Sequence, residues 1–124
     1  MDEKILIVDD ALFMRVNLKR ILTKAGYKNL LEAENGEVAC RLYETEKPDL
    51  VLMDISMPVM DGIAALKNIR KQDNTAVVVM CSAVGQEAMI MESVENGAME
   101  FIVKPFKGEQ IVSAVKNCLE NSRG

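Results

Sequence analysis

Short apolar runs alternate with longer stretches in which apolar residues recur every three or four positions, and this two-period rhythm persists along the chain. Ile5, Leu6, Ile7 and Val8 are consecutively apolar and rich in β-branched residues, which predicts a buried strand over 5–8. After Asp9 and Asp10, one helical face carries Met14, Leu18, Ile21, Leu22 and Ala25, and Gly26 suits the left-handed residue that closes such a helix. Residues 30–33 read as a weaker strand. Val38, Ala39, Leu42 and Tyr43 mark a helix from about Gly36, stopped before Pro48 because the residue preceding proline avoids helical backbone. The pattern then repeats: a strand over 50–53, a helix marked by Ile63, Leu66 and Ile69, a strand over 76–81, and a helix carrying Met89, Ile90 and Val94 that ends at Asn96 and Gly97. Residues 101–104 form the fifth strand. Ile111, Val115, Cys118 and Leu119 mark the last helix, and the charged segment 120–124 is expected to fray.

Strands apolar at nearly every position, alternating with helices, predict a parallel sheet covered on both faces with right-handed crossovers. The expected class is α/β, doubly wound, five-stranded. No repeat or linker divides the sequence, so a single domain over residues 1–124, with no effector domain appended, is expected.

Composition removes whole classes of chemistry. The chain of 124 residues has no histidine, which excludes Ser-His-Asp and Cys-His nucleophile activation and His-ligated zinc. Its 49% apolar and 27% charged residues are those of an ordinary globular domain, not a disordered one. A formal charge of -4 repels phosphate backbones and argues against nucleic acid as a ligand. Cys40, Cys81 and Cys118 lie far apart inside apolar stretches, which fits reduced, buried thiols of a cytoplasmic protein. The first apolar run is too short for a secretion signal, and no run approaches the roughly 20 residues that cross a bilayer, so no membrane contact is expected. The chain has 9 methionines, and Met89 and Met91 are read as core filler before they are read as a docking stripe.

In a doubly wound sheet, ligands bind outside the carboxyl ends of the strands. Those ends carry Asp9 and Asp10, Asp54, Ser82, and Lys104 followed by Pro105. Three carboxylates in one crevice repel by roughly 3 kcal/mol per pair at about 5 Å and an effective dielectric near 20, so they need cations. Without histidine, Lys104 and a hard divalent ion are the available counter-charges. Magnesium suits this rim better than calcium, because it accepts one or two carboxylates, keeps several waters and works beside phosphate oxygens. A carboxylate nucleophile flanked by a cation, a lysine and a hydroxyl suits phosphoryl transfer to the carboxylate.

The residues that carry this chemistry also match a family. Asp9-Asp10, the segment 54–62 (Asp54, Ile55, Ser56, Met57, Pro58, Val59, Met60, Asp61, Gly62), Cys81-Ser82-Ala83, and Phe101-Ile102-Val103-Lys104-Pro105 resemble a response regulator receiver domain over essentially the whole chain. The resemblance implies a flavodoxin-like fold with sheet order 2-1-3-4-5. It further implies that Asp54 accepts a phosphoryl group from a histidine kinase. Asp10, Asp54 and the backbone carbonyl of Ser56 would bind Mg2+, with Asp9 acting through water. Lys104, the Ser82 hydroxyl and the backbone N–H groups of Ser56 and Ala83 would hold the phosphoryl oxygens. Pro58 and Gly62 would shape the loop after Asp54, and the Lys104–Pro105 bond would be cis.

On activation, Ser82 would move toward the phosphoryl group and the Phe101 ring would turn inward behind it. Val103 and Phe106 would then offer contacts to a partner, such as the flagellar motor switch in chemotaxis. Ser56 and Val84 would flank the phosphoryl group, and an apolar Val84 implies slow hydrolysis. The implied protein is a monomeric two-component signalling switch that catalyses only its own phosphorylation and dephosphorylation. A phosphorelay intermediate, handing the group to a histidine phosphotransfer protein, fits nearly as well. A haloacid-dehalogenase-type phosphatase would have a second aspartate at position 56, where Ser56 stands. A flavin carrier would need a Ser/Thr- and Gly-rich phosphate loop where Asp9 and Asp10 stand.

Overall fold

A computed structural model describes residues 2–123. The strands are β1 (Lys4–Val8), β2 (Asn29–Ala33), β3 (Leu50–Asp54), β4 (Val78–Ala83) and β5 (Glu100–Lys104). They alternate with helices α1 (Leu12–Lys24), α2 (Gly36–Glu46), α3 (Gly62–Gln72), α4 (Glu87–Glu95) and α5 (Gly108–Arg123). All pairings are parallel and the sheet order is β2-β1-β3-β4-β5, as the resemblance implies.

Alternation along the strands splits the core into two layers. Leu6, Val8, Val51, Met53, Val78 and Met80 point to one face and pack on Ala39, Tyr43, Leu66 and Ile69 of α2 and α3. Ile5, Ile7, Leu50, Leu52, Val79 and Ile102 point to the other, against Leu18 and Leu22 of α1 and Ile111 and Val115 of α5. Strands buried from both sides need apolar residues at consecutive positions, which is why the runs show no alternation.

Local chemistry starts and ends the helices. Asn35 accepts a hydrogen bond from the Val38 amide at the start of α2, and Asp61 accepts one from Ala64 at 2.8 Å at the start of α3. Gly26 adopts φ +101° just past α1, where a residue with a Cβ would be strained. The Lys104–Pro105 peptide bond is cis.

Several sequence expectations need correction. β4 begins at Val78 and runs to Ala83, not over 76–81, because its register with β5 pairs Ser82 with Val103 and Ala83 with Lys104. Polar Ser82 hides that extension from a reading based on apolar runs. Helix α5 continues through Arg123 instead of fraying from residue 120, and Gly124 lies outside the described residues. Met89, Met91 and Val94 are exposed, while Ser93 is the buried residue of α4. Core filling by methionine is therefore the work of Met53 and Met80. Cys40, Cys81 and Cys118 are all buried and free. Among the described residues, no helix is long and apolar enough to cross a membrane.

Candidate functional site

Because every strand runs the same way, the carboxyl ends of β1, β3, β4 and β5 meet at one rim. Asp9 and Asp10 follow β1, Asp54 is the last residue of β3, Ser82 is next to last in β4, and Lys104 ends β5. Carboxylate oxygens of Asp9, Asp10 and Asp54 lie within 4.8 Å of one another. Lys104 Nζ donates to Asp9 Oδ2 at 3.0 Å and to Asp54 Oδ1 at 3.2 Å. The second Asp9 oxygen accepts the Ala11 amide at 2.9 Å, so both of its carboxylate oxygens are engaged. Asp9 and Asp54 are buried and Asp10 is exposed, leaving the cluster open to solvent on the Asp10 side.

Burial, followed by the charge of Asp9, pushes the Asp54 carboxyl above the usual carboxylate range against the pull of Lys104. Its ionisation therefore costs folded-state stability at high pH, and protonation at low pH relieves that cost. Burial alone would lower the Lys104 ammonium, but its hydrogen bond to Asp9 and the charges of Asp54 and Asp9 outweigh this and hold it above the ordinary lysine value. The stability it contributes is complete below that ordinary value and is lost as pH rises through the higher folded one. Burial pushes the Cys81 thiol up to about 12, so it stays a protonated core residue despite its closeness to the rim.

The chain passes very close to itself here. A Cβ on Gly62, the first residue of α3, would run into the carbonyl oxygen of Asp54. We expect Gly62→Ala to cost about 3 kcal/mol, read from urea denaturation, because relief of that clash must shift the backbone carrying Asp54.

Ser82 is fully buried, and its Oγ has no hydrogen-bond partner among the described residues. Such an orphan ordinarily costs about 1–3 kcal/mol. The Ser56 hydroxyl accepts from Gln86 Nε2 at 2.8 Å, and the Ala83 amide donates to Gln86 Oε1 at 2.6 Å. Val84 is exposed at the tip of the loop that follows β4. On the outer strand β5, Phe101 and Val103 are exposed, and Phe106 is half-buried against the Ile111 layer.

Three features escape the sequence reading. Arg15 donates to the main-chain carbonyl of Asp9 at 2.6 Å and pairs with Glu32 at 3.1 Å, fixing the acidic turn from behind. Its only sequence signal is its place one turn after the two aspartates. Gln86 gives no signal, because a lone glutamine in a polar loop is ordinary. Leu12, Phe13 and Val16 form an exposed apolar patch on α1; they fall off the Met14, Leu18, Ile21, Leu22 face, which is the signal that could have found them.

A family model described as the response regulator receiver domain matches residues 5–116. The chain belongs to that family. Curated relatives agree. The chemotaxis protein CheY of Bacillus subtilis is 50% identical over 119 residues, covering 96% of this chain and 99% of that one. Sporulation initiation phosphotransferase F of the same organism is 43% identical over 119 residues, covering 96% and 95%. Among solved structures, NtrX from Brucella abortus superposes with a TM-score of 0.92 at 32% identity. That match takes in 99% of this chain but only 28% of NtrX, so it concerns a limited part of a longer protein. A second chemotaxis protein CheY, from Thermotoga maritima, is 52% identical over 115 residues. The chain is a CheY-like receiver domain of a two-component response regulator, a family of signalling switches.

Proposed function

We propose that this receiver domain is switched by phosphorylation of Asp54 and then binds a chemotaxis target such as the flagellar motor switch. The observation that carries this reading is the convergence of Asp9, Asp10 and Asp54 within 4.8 Å, with Lys104 bridging two of them. A carboxylate oxygen of Asp54 forms the new O–P bond as the donor's N–P bond breaks, its electron pair passing to the imidazole nitrogen of the kinase. Lys104, already poised between Asp9 and Asp54, follows the charge onto the phosphoryl oxygens. The Ser82 hydroxyl, buried and without a partner among the described residues, gains a phosphoryl oxygen as acceptor.

An all-oxygen donor set fits Mg2+, which Asp10, Asp54 and the Ser56 carbonyl would hold, with Asp9 engaged through water. The bound ion supplies charge neutralisation on the transferring oxygens. Movement of Ser82 would let the Phe101 ring, exposed in the resting structure, turn toward the space behind it, altering the surface that contains Val103 and Phe106. The switch acts in the cytoplasm, as a monomer.

Incubation with a small-molecule phosphodonor and Mg2+ should add one phosphoryl mass to the intact protein, and a chelator should prevent it. Protein that stays unmodified, or that is modified equally with chelator, rules the reading out. Exposed Val84 has no group that orients water, so Val84→Glu should hasten decay of the acyl phosphate severalfold, followed by loss of the added mass with time. The relative named as a sporulation phosphotransferase favours the phosphorelay as a second reading. Phosphoryl transfer onward to a histidine phosphotransfer domain, without phosphorylation-dependent binding of a switch peptide, would select it.

A further inference from the structure

Gln86 has no part in the chemistry above, yet its carboxamide lies between the ends of β3 and β4. Oε1 accepts the Ala83 amide at 2.6 Å while Nε2 donates to Ser56 Oγ at 2.8 Å. We propose that Gln86 is a positioning residue that occupies the Ala83 amide in the resting protein and must be displaced by a phosphoryl oxygen for the switch to close. This rests on Asp54 being the phosphoryl acceptor with Ala83 as one of its donors.

The clasp is built by the local backbone. Gly85 adopts φ +94°, which turns the chain back so that the residue after it can reach the end of the strand before it. Apart from its own chain neighbours, no atom of the described residues lies within 4 Å of where a Cβ on Gly85 would be, so this glycine answers to backbone shape and not to crowding. Gln86 also stands at the N-cap of α4; its side chain makes no cap bond there, and its Nε2 reaches Met89 Sδ of that helix at 3.7 Å.

An N–H group donates one strong hydrogen bond, so Ala83 cannot serve Gln86 and a phosphoryl oxygen together. A charged phosphoryl oxygen is the stronger acceptor and wins, but the clasp subtracts from its binding. The released carboxamide lies beside the uncapped first turn of α4. That helix is lightly anchored: the buried Ser93 bonds the Met89 carbonyl of its own helix, and Lys67 holds Glu92 at 2.9 Å in an exposed pair. Displacement of Gln86 therefore passes directly to the start of α4.

The test titrates beryllium trifluoride, a tetrahedral phosphoryl analogue that attaches to a carboxylate, into protein with Mg2+. Gln86→Leu should bind it about threefold to tenfold more tightly than wild type, since an ordinary hydrogen bond no longer opposes it. Gln86→Glu, which keeps an acceptor and adds charge, should bind more weakly. Equal or weaker binding by Gln86→Leu overturns the proposal. Wild-type protein needs no variant: on saturation, the Gln86 side-chain amide signals in nuclear magnetic resonance should move to the positions of free glutamine, and their staying in place also overturns it. Wild-type protein that fails to bind the analogue at all overturns the assignment of Asp54 as well, which separates the two failures.

Discussion

Replacing Lys104 with methionine should destabilise the metal-free protein by about 3 kcal/mol at neutral pH, the scale seen when one partner of a buried ion pair is removed. Methionine keeps most of the volume of the lysine stem, so the loss reports the ammonium and not a cavity. Asp9 and Asp54 are both buried and both bonded to that ammonium, at 3.0 and 3.2 Å. Without it the two buried carboxylates repel each other at the bottom of a site that opens to solvent on the Asp10 side. The Asp54 carboxyl, already raised by burial and by the charge of Asp9, would lose the opposing pull of Lys104 and hold its proton more tightly still. The destabilisation should accordingly be complete above the raised folded value of Asp54, shrink as pH falls through it, and be gone once pH is below the ordinary carboxylate range. Chemical denaturation at several pH values gives the comparison. Mg2+ should restore part of the lost stability, because a divalent ion supplies the missing charge. A variant as stable as wild type at every pH would mean that Lys104 does not neutralise the cluster.

Replacing Asp54 with asparagine should act in the opposite direction on stability while abolishing function. The amide keeps the shape of the carboxylate and an oxygen that can still accept from Lys104, but removes the charge that burial and Asp9 disfavour. A gain on the order of 1 kcal/mol in the metal-free protein is expected, as is common when a functional site's strain is relieved. The gain should vanish at low pH, where the wild-type carboxyl is protonated and equally neutral. Phosphoryl incorporation should fall to background, since a neutral amide is not a nucleophile toward phosphorus. Thermal denaturation and intact mass measure the two effects on one sample, and a variant that loses both stability and labelling would point to simple misfolding.

Much of this was legible in the sequence because a doubly wound sheet has few alternatives. Residues 5–8 and 50–53 are apolar at every position, which only a strand covered on both faces requires, and the ends of β1, β3, β4 and β5 then gather Asp9, Asp10, Asp54, Ser82 and Lys104 without further assumption. Less legible was whatever depends on one side chain meeting another across the fold. Arg15 reaches back to the Asp9 carbonyl, and Gln86 reaches back to Ala83 through a left-handed glycine, and neither contact leaves a period or a run. Helix α4 shows the converse problem. Met89, Ile90 and Val94 have helical spacing, yet Met89 and Val94 face solvent and the burial falls on Ser93, whose hydroxyl is satisfied inside its own helix. Apolar spacing identifies a helix, but only its contacts decide which face is covered.

The most direct measurement identifies the residue that carries the phosphoryl group. Protein treated with phosphodonor and Mg2+ is reduced with borohydride, which converts an aspartyl phosphate to homoserine, and the peptides are sequenced by mass. Homoserine at position 54, and at no other aspartate, is the expected result. Homoserine at position 9 or 10, or a stable phosphate on Ser56 or Ser82 with Asp54 unchanged, would contradict it.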